Sequence, residues 1–119
     1  MTLRVSQEEK TGTNGLPQRG GTVLDKVSKQ ADGTYKAEAA TITIYEKSVD
    51  KTADAKRYDR EAVLAETVGH EAEHATNPDN VNMQQQNSKN GAKNDVESGP
   101  NVIRDAIINQ FENKKASQH

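Results

Sequence analysis

Residues 41–46 alternate, with Ile42 and Ile44 on one side and Thr41, Thr43 and Tyr45 on the other, the two-residue period of a half-buried strand. Weaker β-favourable runs cover residues 3–6 and 23–28. Asn14-Gly15, Gly20-Gly21 and Asp32-Gly33 separate them as turn signals, because glycine accepts positive φ at no steric cost. The first half of the chain therefore predicts β structure. From Asp59 the period changes: Leu64, Val68, Ala72 and Ala75 recur at steps of four, four and three within a run of helix formers, so one side of a helix over 60–75 faces a core. Asp59 suits its N-cap, and Asn77-Pro78 ends it, since the residue before proline is driven out of the α region.

Residues 77–99 are rich in Asn, Gln, Ser, Gly and Lys without apolar periodicity and predict a long polar loop. A second helix is expected from Pro100, with Ile103, Ala106, Ile107, Gln110 and Phe111 along one stripe packed on the first helix or the sheet. The expectation is an α+β fold in a single domain over residues 1–119, with weak termini at 1–20 and 113–119.

Composition narrows this picture. At 119 residues, 31% hydrophobic and 3% aromatic, the chain supports only a small core. Its 16 basic and 18 acidic residues are interspersed and give a net charge of −2. That balance lacks the basic stripe a nucleic-acid binder needs. No apolar run approaches a membrane span, and residues 1–10 lack a signal-like stretch, so neither nucleic acid nor membrane is an expected partner. There is no cysteine, and any metal site must use His, Asp and Glu.

Such a site is suggested by His70-Glu71-Ala72-Glu73-His74, an H-E-x-x-H sequence inside the predicted helix. Four residues make slightly more than one turn, so His70 and His74 share a face and can hold one Zn²⁺. Glu71 then stands beside the metal's open position, where a carboxylate can take a proton from water and return it to a leaving amine. The alternative is a solvated helix face that carries two histidines by coincidence.

Catalytic zinc takes a third protein ligand. Glu97 is the best-placed candidate, 23 residues beyond His74 and just before the second helix; Asp79, Asp95 and Glu112 are the others, and His119 sits in the terminal tail. Glu73 points away from the histidines. Glu66, one turn before His70, is either an acceptor for a ligand imidazole or a surface charge. Tyr45, Tyr58, Arg57, Arg60 and Arg104 are candidates to stabilise an oxyanion, and the strand 41–46 is a candidate edge for pairing with an extended peptide. Gly69 would admit close approach of another segment to the helix.

Residues 41–46, the segment 68–76 around H-E-x-x-H, and Asp95-Val96-Glu97 with Pro100 together resemble the small zincin metallopeptidase domains at the C-terminal ends of bacterial Rhs-type polymorphic toxins. The resemblance spans roughly residues 30–112. It implies a zincin-like fold with His70, His74 and Glu97 as zinc ligands and Glu71 as general base. It also implies a peptide or protein substrate, a cognate immunity protein, and an effector delivered to the cytoplasm of a target cell. Against this stands a non-catalytic binding or immunity-type module with an incidental or degenerate H-E-x-x-H, or a zinc hydrolase of a non-peptide bond.

Overall fold

A computed structural model describes residues 1–12 and 15–117, with side chains as far as residue 114. Asn14 and His119, both named above, lie outside the described residues. Three strands and four helices follow in the order β1 (Thr2–Ser6), β2 (Gly20–Lys29), β3 (Tyr35–Tyr45), α1 (Glu46–Lys56), α2 (Arg60–Thr76), α3 (Pro78–Asn90) and α4 (Ser98–Ser117). This is a small α+β arrangement, β-rich in its first half as expected.

The sheet order is β1-β3-β2, with β1 parallel and β2 antiparallel to β3. Asp32 and Gly33 turn the β2–β3 hairpin: Gly33 has φ 86°, and the Asp32 carboxylate accepts from the Thr34 amide at 2.9 Å. Of the strand expected at 41–46, residues 41–45 are the end of β3 and Glu46 begins α1. The strand β3 is central and not an edge, so it has no free side to offer a peptide; the outer strands are β1 and β2. Gly20-Gly21 opens β2 rather than making a turn.

Ile42 and Ile44 are buried on the helix side of β3, where they meet Val49 and Ala53 of α1 and Val63 of α2, with Tyr58, Leu64, Val68 and Ala72 packed around them. The hydropathy pattern carries no signal for α1, because its apolar content is little more than Val49 and Ala53. This helix starts directly after β3 and stops where Arg57 turns left-handed at φ 56°.

The expected loop over 77–99 is largely helical. Pro78 occupies the first turn of α3, Asn77 caps it by accepting from the Asp79 and Asn80 amides, and Gly91 at φ 67° closes it. Asn77-Pro78 therefore both ends α2 and begins α3. The tail read as weak from residue 113 continues α4 to Ser117, which starts two residues before Pro100. Asp95 holds this start, accepting from the Glu97 and Ser98 amides at 3.0 and 3.1 Å.

Two glycines set how closely the layers approach. A Cβ on Gly69 would lie 2.4 Å from Ile107 Cδ1 and 3.4 Å from Ile103 Cγ2, so the bare helix surface there seats α4 against α2. The approaching atoms are side chains, not backbone. On α4 Pro100 and Ile108 are buried, while Ile103, on the expected stripe, stays 37% exposed. A Cβ on Gly20 would lie 2.9 Å from Thr67 Cγ2 and 3.1 Å from both Glu71 Cγ and the Thr43 carbonyl, so β2 enters the sheet pressed against α2 beside Glu71. No helix among the described residues is long and apolar enough to cross a membrane.

Candidate metal centre

The third and fourth turns of α2 face the opening of β2, the middle of α3 and the start of α4 with the segment that leads into it. These four elements enclose a cleft of about 880 Å³, lined among others by His70, Glu71, His74 and Glu97. Ligand-capable atoms of His70, Glu71 and His74 all lie within 4.8 Å of one another, and the two imidazole centroids are 5.1 Å apart. Glu97 reaches in from the far side, with Oε2 3.0 Å from His70 Nε2 and Oε1 3.2 Å from His74 Nε2.

The other nitrogen of His74 decides what this contact means. Its Nδ1 lies 3.1 Å from Asn80 Oδ1. The orientation of that amide is fixed, because Asn80 Nδ2 donates to the Val96 carbonyl at 2.8 Å while Gln84 Nε2 donates to Asn80 Oδ1 at 2.7 Å. His74 Nδ1 must therefore carry the proton and donate. In the neutral ring Nε2 is then a bare lone pair facing a carboxylate oxygen. Two acceptors at 3.2 Å require a cation between or upon them, either a proton on Nε2 or a metal ion. Burial opposes charge on His74, but the Glu97 and Asn80 contacts more than offset it and raise its pKa. Hydrogen bonds from His70 and His74 hold the Glu97 carboxyl well below its ordinary range.

Glu71 is buried, with Oε1 3.6 Å from His70 Nε2. Thr22 Oγ1 of β2 donates to its backbone carbonyl at 2.9 Å and approaches Oε2 at 3.3 Å. Burial pushes the Glu71 carboxyl upward, opposed in part by the neighbouring histidines. A base of raised pKa is better matched to proton transfer near neutral pH than an ordinary carboxylate.

Of the other acids, Asp79 is exposed on the first turn of α3, Asp95 caps α4 and Glu112 is exposed; none lines the cleft. Glu73 accepts from Asn77 Nδ2 at 2.6 Å and braces the α2–α3 junction. Glu66 takes neither expected role, for it is buried at 3% exposure and ion-paired with Arg19 and Arg104. Among the oxyanion candidates only Arg104 lines the cleft. Arg60 is engaged by Asp50 and Glu46, Tyr58 packs on the core, Tyr45 lies under the Lys10 ammonium, and Arg57 turns the chain after α1. Asn80, Gln84, Thr22 and Arg19 were not singled out from the sequence. A buried asparagine in a polar helix leaves no periodic signal.

No protein-family model, no curated protein and no solved structure matches this chain.

Proposed function

We propose that the chain is a zinc-dependent peptidase with a zincin-like site, in which His70, His74 and Glu97 hold the metal and Glu71 is the general base. The observation that carries this is the convergence of two imidazole Nε2 atoms on one carboxylate, with His74 oriented by Asn80 so that a lone pair faces the gap. Two imidazoles and a carboxylate make a recognised catalytic zinc donor set. When bound, zinc would supply Lewis acidity toward a carbonyl oxygen and toward water. Glu71 takes the proton of the attacking water and returns it to the amine that leaves as the C–N bond breaks. The Thr22 hydroxyl ties β2 to the Glu71 backbone carbonyl, and Asn80 fixes the His74 tautomer.

The outer side of β2, which begins at the cleft with Gly20, Gly21 and Thr22, offers main-chain groups to an extended peptide in place of the central strand first considered. By its resemblance to Rhs-type toxin domains, the biological role we assign is a delivered effector with a cognate immunity protein. The test is expression in bacterial cytosol together with hydrolysis of an unfolded protein such as casein. Wild-type protein is expected to arrest growth and cleave, and Glu71→Gln to do neither while retaining its metal. Equal growth and equal cleavage for both proteins would remove Glu71 from the mechanism.

A further inference from the structure

One wall of the cleft carries more positive charge than its partners neutralise. Arg19, at the entry to β2, and Arg104, on α4, both line it, together with the exposed Lys56 at the end of α1. Behind the two guanidiniums lies Glu66, whose side chain is 4% exposed. Arg19 Nη1 bonds its Oε1, whereas Arg104 Nε stands 3.9 Å from its Oε2, too far for a hydrogen bond. Arg104 Nε donates instead to Asp105, a residue 65% exposed, and such a surface pair contributes little. A guanidinium has five N–H donors. Among the described residues, the side-chain acceptors bonded to Arg19 and Arg104 occupy only Nη1 of the first and Nε of the second.

The two arginines are nevertheless held in place. Their side chains are 21% and 30% exposed; Glu66 on α2 holds Arg19 by a hydrogen bond, and Asp105 holds Arg104 with Glu66 3.9 Å behind it. Glu66 and Asp105 offset two of the three positive charges of Arg19, Arg104 and Lys56, which leaves a surplus of one. The surplus faces the same cleft as His70, Glu71 and His74.

We propose that Arg19 and Arg104, with Lys56 at the rim, form a carboxylate subsite, so that the preferred substrate is a peptide bearing a carboxylate beside the bond to be cut. The fork of a guanidinium matches the two oxygens of a carboxylate. This inference rests on the peptidase reading for the substrate class, but its test reads binding separately from cleavage. The same chemistry is carried by an Asp or Glu side chain and by the C-terminal carboxylate of a peptide.

The experiment uses zinc-loaded Glu71→Gln protein and two matched pairs of randomised fluorescent hexapeptide pools. One pair has central Asp/Glu against central Asn/Gln, both with amidated C-termini; the other pairs a free acid against an amide terminus in a pool without acidic residues. About tenfold tighter binding of the carboxylate member is expected in one pair, and that pair identifies the source. Arg104→Gln is expected to reduce the ratio to about twofold, while Arg104→Lys, which keeps charge without the fork, falls between. Equal binding within both pairs overturns the subsite. If wild-type protein cleaves no pool but the binding ratio persists, the peptidase reading fails and the carboxylate subsite stands.

Discussion

Replacing Asn80 by alanine removes one buried amide that serves three partners, and the consequences divide cleanly between stability and metal affinity. Asn80 is 4% exposed. Its loss leaves the His74 Nδ1–H and the Val96 carbonyl without their side-chain partner, whereas Gln84 Nε2 keeps its 2.7 Å bond to the His74 carbonyl. Each buried polar group so orphaned costs about 1–3 kcal/mol, and water entering the vacated space brings the expected loss to about 2–4 kcal/mol. For a domain whose whole stability is about 5–15 kcal/mol this is readily measured by urea denaturation. Zinc affinity should fall about 10- to 100-fold, because the ring of His74 is no longer held with Nε2 toward the cleft. Asn80→Asp separates the two effects. Its carboxylate still accepts from Nδ1 but meets the Val96 carbonyl with a second acceptor, so stability should fall while zinc affinity stays at or above the wild-type value. An Asn80→Ala protein with zinc affinity within twofold of wild type would refute the assignment of His74 tautomer and ligand atom.

Above about pH 6.5 zinc occupancy and the stability of the metal-free protein should change in opposite senses. The pKa of His74 is raised above its ordinary 6.5 in the metal-free protein, so the stability from its charged pair with Glu97 is complete below the unfolded-state value and is lost as pH rises through the raised one. Glu97 is lowered from 4.5, so its contribution is present above that value and is lost as pH falls toward its low folded value. The His74–Glu97 pair should accordingly stabilise the chelated protein most between about pH 4.5 and 6.5, and zinc should shift stability toward higher pH, because the imidazoles must be neutral to bind. Urea midpoints across pH with and without zinc check this; chelated protein that gains stability steadily from pH 5 to 8, or full zinc occupancy at pH 4, would contradict it. Gly20→Ala should cost about 1–3 kcal/mol and depress hydrolysis, since the new methyl meets Thr67, the Thr43 backbone and Glu71 within about 3 Å. Gly21→Ala, whose nearest neighbour is Gln18 Nε2 at 3.5 Å, is the packing control and should leave the urea midpoint nearly unchanged.

What the chain disclosed in advance follows from periodicity. Ile42 and Ile44, two residues apart, and the 3.6-residue stripe of α2 announce their elements because burial selects apolar side chains at a fixed step. The helices α1 and α3 bury Ser48, Thr52 and Asn80 beside Val49, Ala53 and Val81, so the same step is there in space but hardly in hydropathy. For α3 the readable marks are its ends, Asn77-Pro78 and Gly91, and an Asn-Pro pair signals the stop of one helix as well as the start of the next. The candidate site divides in the same way. His70, Glu71 and His74 come from one helix and their geometry follows from its pitch, while Glu97 had to be chosen among acids by chain reach. Asn80 comes from α3, and Arg19 and Thr22 from the entry to β2, whose close approach to α2 depends on the bare surface at Gly20.

The proposal depends first on whether the two histidines and Glu97 bind zinc. Protein stripped with chelator and titrated with Zn²⁺ in competition with a chromophoric chelator at pH 7.5, alongside His74→Ala and Glu97→Ala, answers this. The account predicts one zinc per chain with submicromolar affinity, and marked weakening in both variants. If wild-type protein takes up no zinc at micromolar concentration, or both variants bind as tightly as wild type, the metal centre proposed on α2 is wrong.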